Sequence, residues 1–271
     1  MESIDRVREY WDKSPCFTRR SVAPKDSEQF MDETEARKFI SEPKIPEFAE
    51  YDRWAGHAVL EVGCGIGIDA VNFARAGAFV NAVDLSGESL KLARKRAEIA
   101  GVNVGFYCVD AENLKGTPIE WCFYDLIYAF GSIHHSPDPM EILMNLRTLA
   151  RRKTTLKLMV YNKWSFKALW ILLKYGKGQF WKFSELIARH SEAQTGCPIT
   201  YVYSKRSIKR LVESAGFRVK KIQIDHIFRF DIEKYKKFEY ELDWKFRWMP
   251  SWLFRALERT IGWHLLVEAE A

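Results

Sequence analysis

Three glycines at alternate positions, Gly63, Gly65 and Gly67, close an apolar run that ends Leu60-Glu61-Val62. Glycine accepts the left-handed backbone and lets a ligand approach the main chain. The stretch therefore predicts a buried strand, Ala58 to Val62, turning tightly into a helix over Asp69 to Arg75. Seventeen residues past Gly67, a second apolar run, Ala78 to Val83, ends in Asp84, with Leu85 after it. A carboxylate at the tip of the second strand of such a unit can accept hydrogen bonds from two ribose hydroxyls. Together the two features imply a nucleoside-containing ligand.

The glycine spacing narrows the choice. Nicotinamide enzymes carry G-x-G-x-x-G, whose third glycine lets helix and strand pack closely. Here the spacing is G-x-G-x-G, and Ile68 follows. A third apolar run, Val104 to Val109, leads into Asp110-Ala111-Glu112-Asn113-Leu114. The set Glu61-x-Gly63-Cys64-Gly65-x-Gly67, Asp84 and D-A-E-x-L resembles the class I S-adenosylmethionine-dependent methyltransferases of the small-molecule type. The resemblance implies that the glycine loop lies under the methionine part of S-adenosyl-L-methionine, or of its product S-adenosyl-L-homocysteine. It implies too that Asp84 and Leu85 meet the ribose and Asp110, Ala111 and Glu112 the adenine. Glu61 is expected to order the loop. Asp69 reads either as a ligand contact or as a first-turn acid favoured by the helix dipole.

Strand and helix patterns alternate from His57 on. Helices are expected over Glu88 to Ala100, capped by Ser86, over Met140 to Leu149, and over Ser204 to Ala215. Strands are expected over Tyr124 to Phe130, Thr155 to Tyr161, Phe217 to Ile227 and His264 to Ala269. Alternation of this kind predicts an α/β fold with a mostly parallel sheet and helices on both faces. The family resemblance makes it a Rossmann-like seven-stranded sheet with an antiparallel last strand. The expected parts are an N-terminal helical lid (1–56), a cofactor-binding core (57–161), a helical insertion over the acceptor pocket (162–203), and the rest of the core (204–271) with a helical insertion at 228–260. One departure from the family is the missing Pro-Gly-Gly turn before the fifth strand, where the chain reads Ala150-Arg151-Arg152-Lys153.

Composition sets limits on the function. Net charge is +6, with 42 basic and 36 acidic residues scattered rather than massed, so nothing in it singles out nucleic acid. The N/D-P-P-Y/F signature of adenine- and amide-methylating relatives is absent. Five cysteines with no C-x-x-C pair read as reduced thiols of a cytoplasmic protein, and no metal-ligand spacing is present. No signal peptide is expected, and no apolar run is long enough to span a bilayer.

The acceptor side is read from Gly131-Ser132-Ile133-His134-His135-Ser136-Pro137-Asp138, which looks like the G-x-x-H-H-x-P-D segment of small-molecule methyltransferases. His134 or His135 could take a proton from an attacking hydroxyl, or could only shape the pocket. Tyr161 and Asn162 are further pocket candidates, and Tyr10 and Trp11 could fold over the cofactor or pack on the sheet edge. The insertion Trp164 to Leu173, then Phe180 to Phe183 and Trp244 to Phe254, interleave aromatics with Lys and Arg. These segments could line a pocket for an apolar or amphipathic acceptor, touch a membrane interface, or bury their rings in the core or a subunit contact. The resulting expectation is methyl transfer to a small molecule at oxygen or nitrogen. A non-catalytic S-adenosylmethionine-binding protein and a nucleic-acid methyltransferase are the alternatives.

Overall fold

A computed structural model describes residues 4–120, 122–191 and 197–271. Parts of three expected segments, residues 1–3 of the lid, 121 of the core and 192–196 of the insertion, lie outside the described residues. The strands are β1 (Ala58–Val62), β2 (Phe79–Asp84), β3 (Val104–Cys108), β4 (Tyr124–Phe130), β5 (Ala150–Asn162), β6 (Val202–Tyr203), β7 (Arg218–Asp225) and β8 (His264–Glu270). They form one sheet in the order β3-β2-β1-β4-β5-β8-β7, with β6 beside the end of β5. β8 runs antiparallel to both β5 and β7, while the β3-to-β5 half is parallel. The expected sheet is present with one addition. The two-residue β6, which carries no hydrophobic periodicity of its own, pairs Val202 and Tyr203 with Tyr161 and Asn162.

The central strands are buried on both faces, as a doubly covered parallel sheet requires. One core layer gathers Leu60, Ile127, Leu156 and Val267 with the helix Pro139–Thr148; the other gathers Val59, Val71, Phe73 and Leu126. Helix ends follow side-chain capping. Ser86 accepts from Ser89 N, Asp138 from Met140 and Glu141 N, and Ser204 from Ser207 N.

β5 starts at Ala150 rather than Thr155, and the missing Pro-Gly-Gly turn explains how. Lys153 adopts φ 81°, the left-handed conformation a glycine would take. Thr154 Oγ1 then donates to Tyr124 O and accepts from Arg151 N. The pairing slips between Tyr124 and Leu126 in consequence. β7 ends two residues before the expected Ile227, because His226 turns to φ 68°.

Residues 4–56 fold as helices Ile4–Lys13, Glu28–Ser41 and Ile45–Ala49 against the carboxyl edge of the sheet and its flanking helices. Two buried cations pin them there. Arg96 donates to Ile66 O, Met31 O and Thr34 Oγ1. Lys38 Nζ lies 2.8 Å from Asp69 Oδ2, and both side chains are nearly inaccessible.

Candidate active site

Each glycine of the loop does a different job. All three take positive φ: 73° at Gly63, 54° at Gly65 and 77° at Gly67. A Cβ on Gly63 would stand 2.2 Å from Ser132 Cβ, and one on Gly67 2.8 Å from Ala93 Cβ. At Gly65, apart from its chain neighbours, no atom of the described residues lies within 4 Å of that position, so the space beside its main chain is open. Val83 O takes both Gly63 N–H (2.8 Å) and Cys64 N–H (3.1 Å), tying the loop to the tip of β2. Burial pushes the Cys64 thiol well up, so it stays protonated and serves as a small apolar filler.

Asp84 closes the loop from the far side. Its Oδ2 accepts from Gly65 N at 2.7 Å and its Oδ1 from Ser86 N at 2.8 Å. Burial raises its pKa, against the lowering effect of the main-chain donors. Each oxygen keeps a lone pair for a hydroxyl donor. Ser86 Oγ donates to Asp12 Oδ1 at 2.8 Å, and Glu88 N to the same oxygen. The first helix, with Tyr10 and Trp11, is thereby fastened beside β2. Trp11 crosses to His135, ring centroids 5.3 Å apart and nearly edge-on, while Tyr10 packs on Trp11.

Asp110 caps its own turn, accepting from Glu112 N at 2.9 Å. Glu112, another expected cofactor contact, also joins neighbouring loops. Its Oε1 accepts from Ser136 Oγ and Asp138 N, binding the two loops together. Ala111 and Glu112 offer their carbonyls to Asn145 Nδ2. Leu85 O takes the Cys108 thiol. Asp69, in the first turn of the helix Ile68–Arg75, holds Lys38 and accepts from Tyr51 Oη at 2.7 Å.

Glu61 is buried beneath the loop with Ala70 N as a donor to its carboxylate. Its Oε2 has no hydrogen-bond partner among the described residues. Burial and the nearby Asp69 raise its pKa well above the usual carboxylate range. A buried, half-satisfied carboxyl on the strand that leads into the glycine loop fits a ligand ammonium group.

At the tips of β4 and β5, four rings converge. His134 and Tyr161 have centroids 4.1 Å apart, His134 and His135 4.3 Å, and Tyr161 and Trp263 4.4 Å. His134 is wholly inaccessible, and neither ring nitrogen has a partner among the described residues. Burial, then His135, push its pKa well below the usual value, so it is neutral at physiological pH. His135 Nδ1 lies 2.9 Å from Ile199 O. A carbonyl only accepts, so this contact favours a proton on Nδ1, a nitrogen that also meets the Thr200 hydroxyl at 3.2 Å and the Cys197 thiol at 3.4 Å. Asn162 is a tie: it donates to Gly262 O and accepts from Trp164 N. Beyond Tyr161, a cavity of about 360 Å³ is lined by Phe130, Asp225, His226, Arg255, Glu258 and His264, among others.

Three contributors escaped the sequence reading. Ser132, inside the quoted G-S-I-H-H segment, seats Gly63 and donates to Val62 O. Arg96 lies in a basic cluster that reads as solvated, and Asp12 lies next to the two aromatics that drew attention. No spacing rule marks a side chain whose partner is 74 residues away, as Asp12's is.

A parallel sheet with an antiparallel β8 between β5 and β7, a glycine loop after β1 and acids after β2 and β3 define the class I methyltransferase architecture. Solved structures agree. The magnesium protoporphyrin IX methyltransferase of Synechocystis, determined with S-adenosylhomocysteine, superposes with TM-score 0.61 over 99% of each chain at 17% identity. An S-adenosylmethionine-dependent methyltransferase of Mesorhizobium loti gives 0.55 over 84% of this chain and 97% of its own, at 15% identity.

In sequence, residues 59–153 match the family described as "Methyltransferase domain". Among curated proteins, the ubiquinone biosynthesis O-methyltransferase of Actinobacillus pleuropneumoniae is 35% identical over 98 residues, covering 35% of this chain and 42% of that protein. Its counterpart in Bordetella parapertussis is 36% identical over 97 residues, 36% of this chain and 39% of its own. The chain thus spans about two fifths of the length of these relatives.

Proposed function

We propose that the protein transfers the methyl group of S-adenosylmethionine to a hydroxyl or amino group of a small, apolar or amphipathic molecule, in the cytoplasm. The observation that carries this reading is an open Gly65 together with the orphaned Glu61 Oε2 on the strand that leads into the same loop. In this reading Glu61 takes the ammonium group, and the glycine loop supports the methionine part. Asp84 and Leu85 meet the ribose, Asp110 and Ala111 the adenine, and Tyr10 and Trp11 cover the site. When bound, the cofactor supplies an electrophilic methyl group on a sulfonium. Since the leaving group is already activated, the chain's main task is alignment and exclusion of water.

The rings do the rest. Tyr161 and His134 wall the acceptor, and His135 Nε2 receives the proton of its hydroxyl. The Ile199 carbonyl holds the His135 tautomer that this role needs. The acceptor enters past Phe130 and His264, which line the cavity. Ubiquinone-pathway relatives methylate at oxygen by name, which supports the hydroxyl over the amine.

Calorimetric titration with S-adenosylhomocysteine tests the cofactor assignment. Wild-type protein is expected to bind at micromolar Kd, and Asp84→Ala to lose about 2–4 kcal/mol of that affinity. Asp84→Asn, which still accepts from Gly65 N, checks that loop collapse is not the cause. Absence of binding to wild-type protein freed of endogenous ligand would overturn the reading.

A further inference from the structure

The helix Phe166–Tyr175 buries Ala168 and Ile171 and turns the opposite face to solvent. On that face stand Phe166, Leu169, Trp170 and Leu173, which are 44%, 54%, 40% and 72% exposed. Their spacing is i, i+3, i+4, i+7, one continuous apolar stripe on the outside of the molecule. Trp164 and Trp181, 68% and 78% exposed, stand just before and after it in the chain. Trp164, Phe166, Trp170 and Trp181, which sequence alone allowed to be core, are thus surface. A soluble monomer seldom leaves such a stripe uncovered.

Charge says what covers it. From Asn162 to Ser184 the sequence holds five lysines, Lys163, Lys167, Lys174, Lys177 and Lys182, and no acidic residue. Lys163 and Lys174 sit over the rings of Trp164 and Trp170, at 5.4 and 4.4 Å. A second protein surface would need to answer the apolar stripe with shape and the lysines with placed carboxylates. An anionic bilayer answers both without any specific fit: acyl chains take Leu and Phe, the headgroup layer takes Trp, and lipid phosphates take Lys. A groove of about 430 Å³, lined by Trp164, Phe166, Leu169, Leu172, Phe183 and Ile261, opens beside the stripe. It begins at Lys163, two residues from Tyr161.

We propose that the face of Phe166–Tyr175 docks on the surface of an anionic phospholipid bilayer. Among the described residues no helix is long and apolar enough to cross one. Attachment is therefore peripheral, with the helix lying in the interface plane and the groove facing the lipid. The proposal goes beyond the methyl-transfer reading and does not depend on it, because its readout is partitioning alone.

The test is co-sedimentation of the full-length protein with phosphatidylcholine vesicles and with vesicles containing phosphatidylglycerol. Wild-type protein is expected to pellet with the anionic vesicles, weakly with neutral ones, and less as salt rises. L169E/L173E changes only exposed positions, so it should keep the wild-type thermal melt yet remain in the supernatant. K163Q/K174Q/K177Q should lower partitioning into anionic vesicles by roughly a hundredfold at low salt. Wild-type protein left in the supernatant with anionic vesicles would overturn the proposal. So would a concentration-dependent dimer dissolved by L169E/L173E, which would assign the stripe to a second copy of the chain. Titration of S-adenosylhomocysteine into the same variants keeps failure of docking distinct from failure of the cofactor assignment.

Discussion

Gly65 and Gly67 are two residues apart, share a left-handed backbone, and should respond to alanine differently. At Gly67 the new Cβ meets Ala93 at 2.8 Å, so Gly67→Ala adds a steric clash to the backbone strain. We expect a loss of about 2–4 kcal/mol in urea unfolding. At Gly65 there is no clash, and only the strain of about 1–2 kcal/mol applies. Gly65→Ala should therefore stay folded while losing S-adenosylhomocysteine binding, because its methyl group fills the open space. Equal effects of the two on stability and binding would refute that division. Asp225 offers a pH counterpart. Burial, then Glu258, raise its pKa to about 6. An acid whose folded pKa lies above its unfolded one favours folding below the unfolded value, near 3.8. It loses that contribution as pH rises through about 6. Asp225→Asn should then raise the melting temperature relative to wild type at pH 7.5 and show a smaller gain at pH 4.5. A gain that grows on acidification would contradict the assignment.

Among the elements, the helix Glu28–Ser41 is where sequence patterning says least. Its apolar residues do not form one stripe, because it is held by polar ties as much as by packing. Phe30 and Met31 are buried, but so are Thr34 and Lys38. Removing the Lys38 charge leaves Asp69 buried without its cation, a situation that costs about 3–5 kcal/mol. Lys38→Met should lower urea stability by that order, whereas the double variant Lys38→Met/Asp69→Asn should recover much of it. Simple additivity of the two changes would show that the pair is not coupled. The core strands are the opposite case. Ala58–Val62, Phe79–Asp84 and Tyr124–Phe130 fall where the apolar runs place them, because strands covered on both faces read as unbroken hydrophobic segments. β6 and the early start of β5 were hidden: both arise from main-chain pairing and from Lys153 at positive φ, which side-chain patterning does not record.

For the molecule as a whole, local signals located the cofactor half and long-range contacts composed the rest. Glycine spacing and strand-end acids are written within some 50 residues, from Glu61 to Asp110, and the structure brings them to one edge of the sheet. The His134–Tyr161–Trp263 ring cluster draws on residues more than 100 positions apart, and only the return of β8 beside β5 assembles it. On the β2 side the N-terminal helix joins this edge through Asp12. Asp12→Ala should therefore raise amide exchange across Ile4–Lys13 while leaving exchange in β1 to β5 unchanged. Protection that stayed intact would mean that Trp11 and Val7 suffice to hold the helix. Ser86 gives that attachment a wider meaning. It donates its main-chain N–H to Asp84 and its hydroxyl to Asp12, so one residue is gripped from the ligand side and from the strap side at once. Under the proposed methyl transfer, release of spent product and lifting of the strap become one kinetic event, and dwell time on the protein, rather than bond-making, is the step that a single hydroxyl sets.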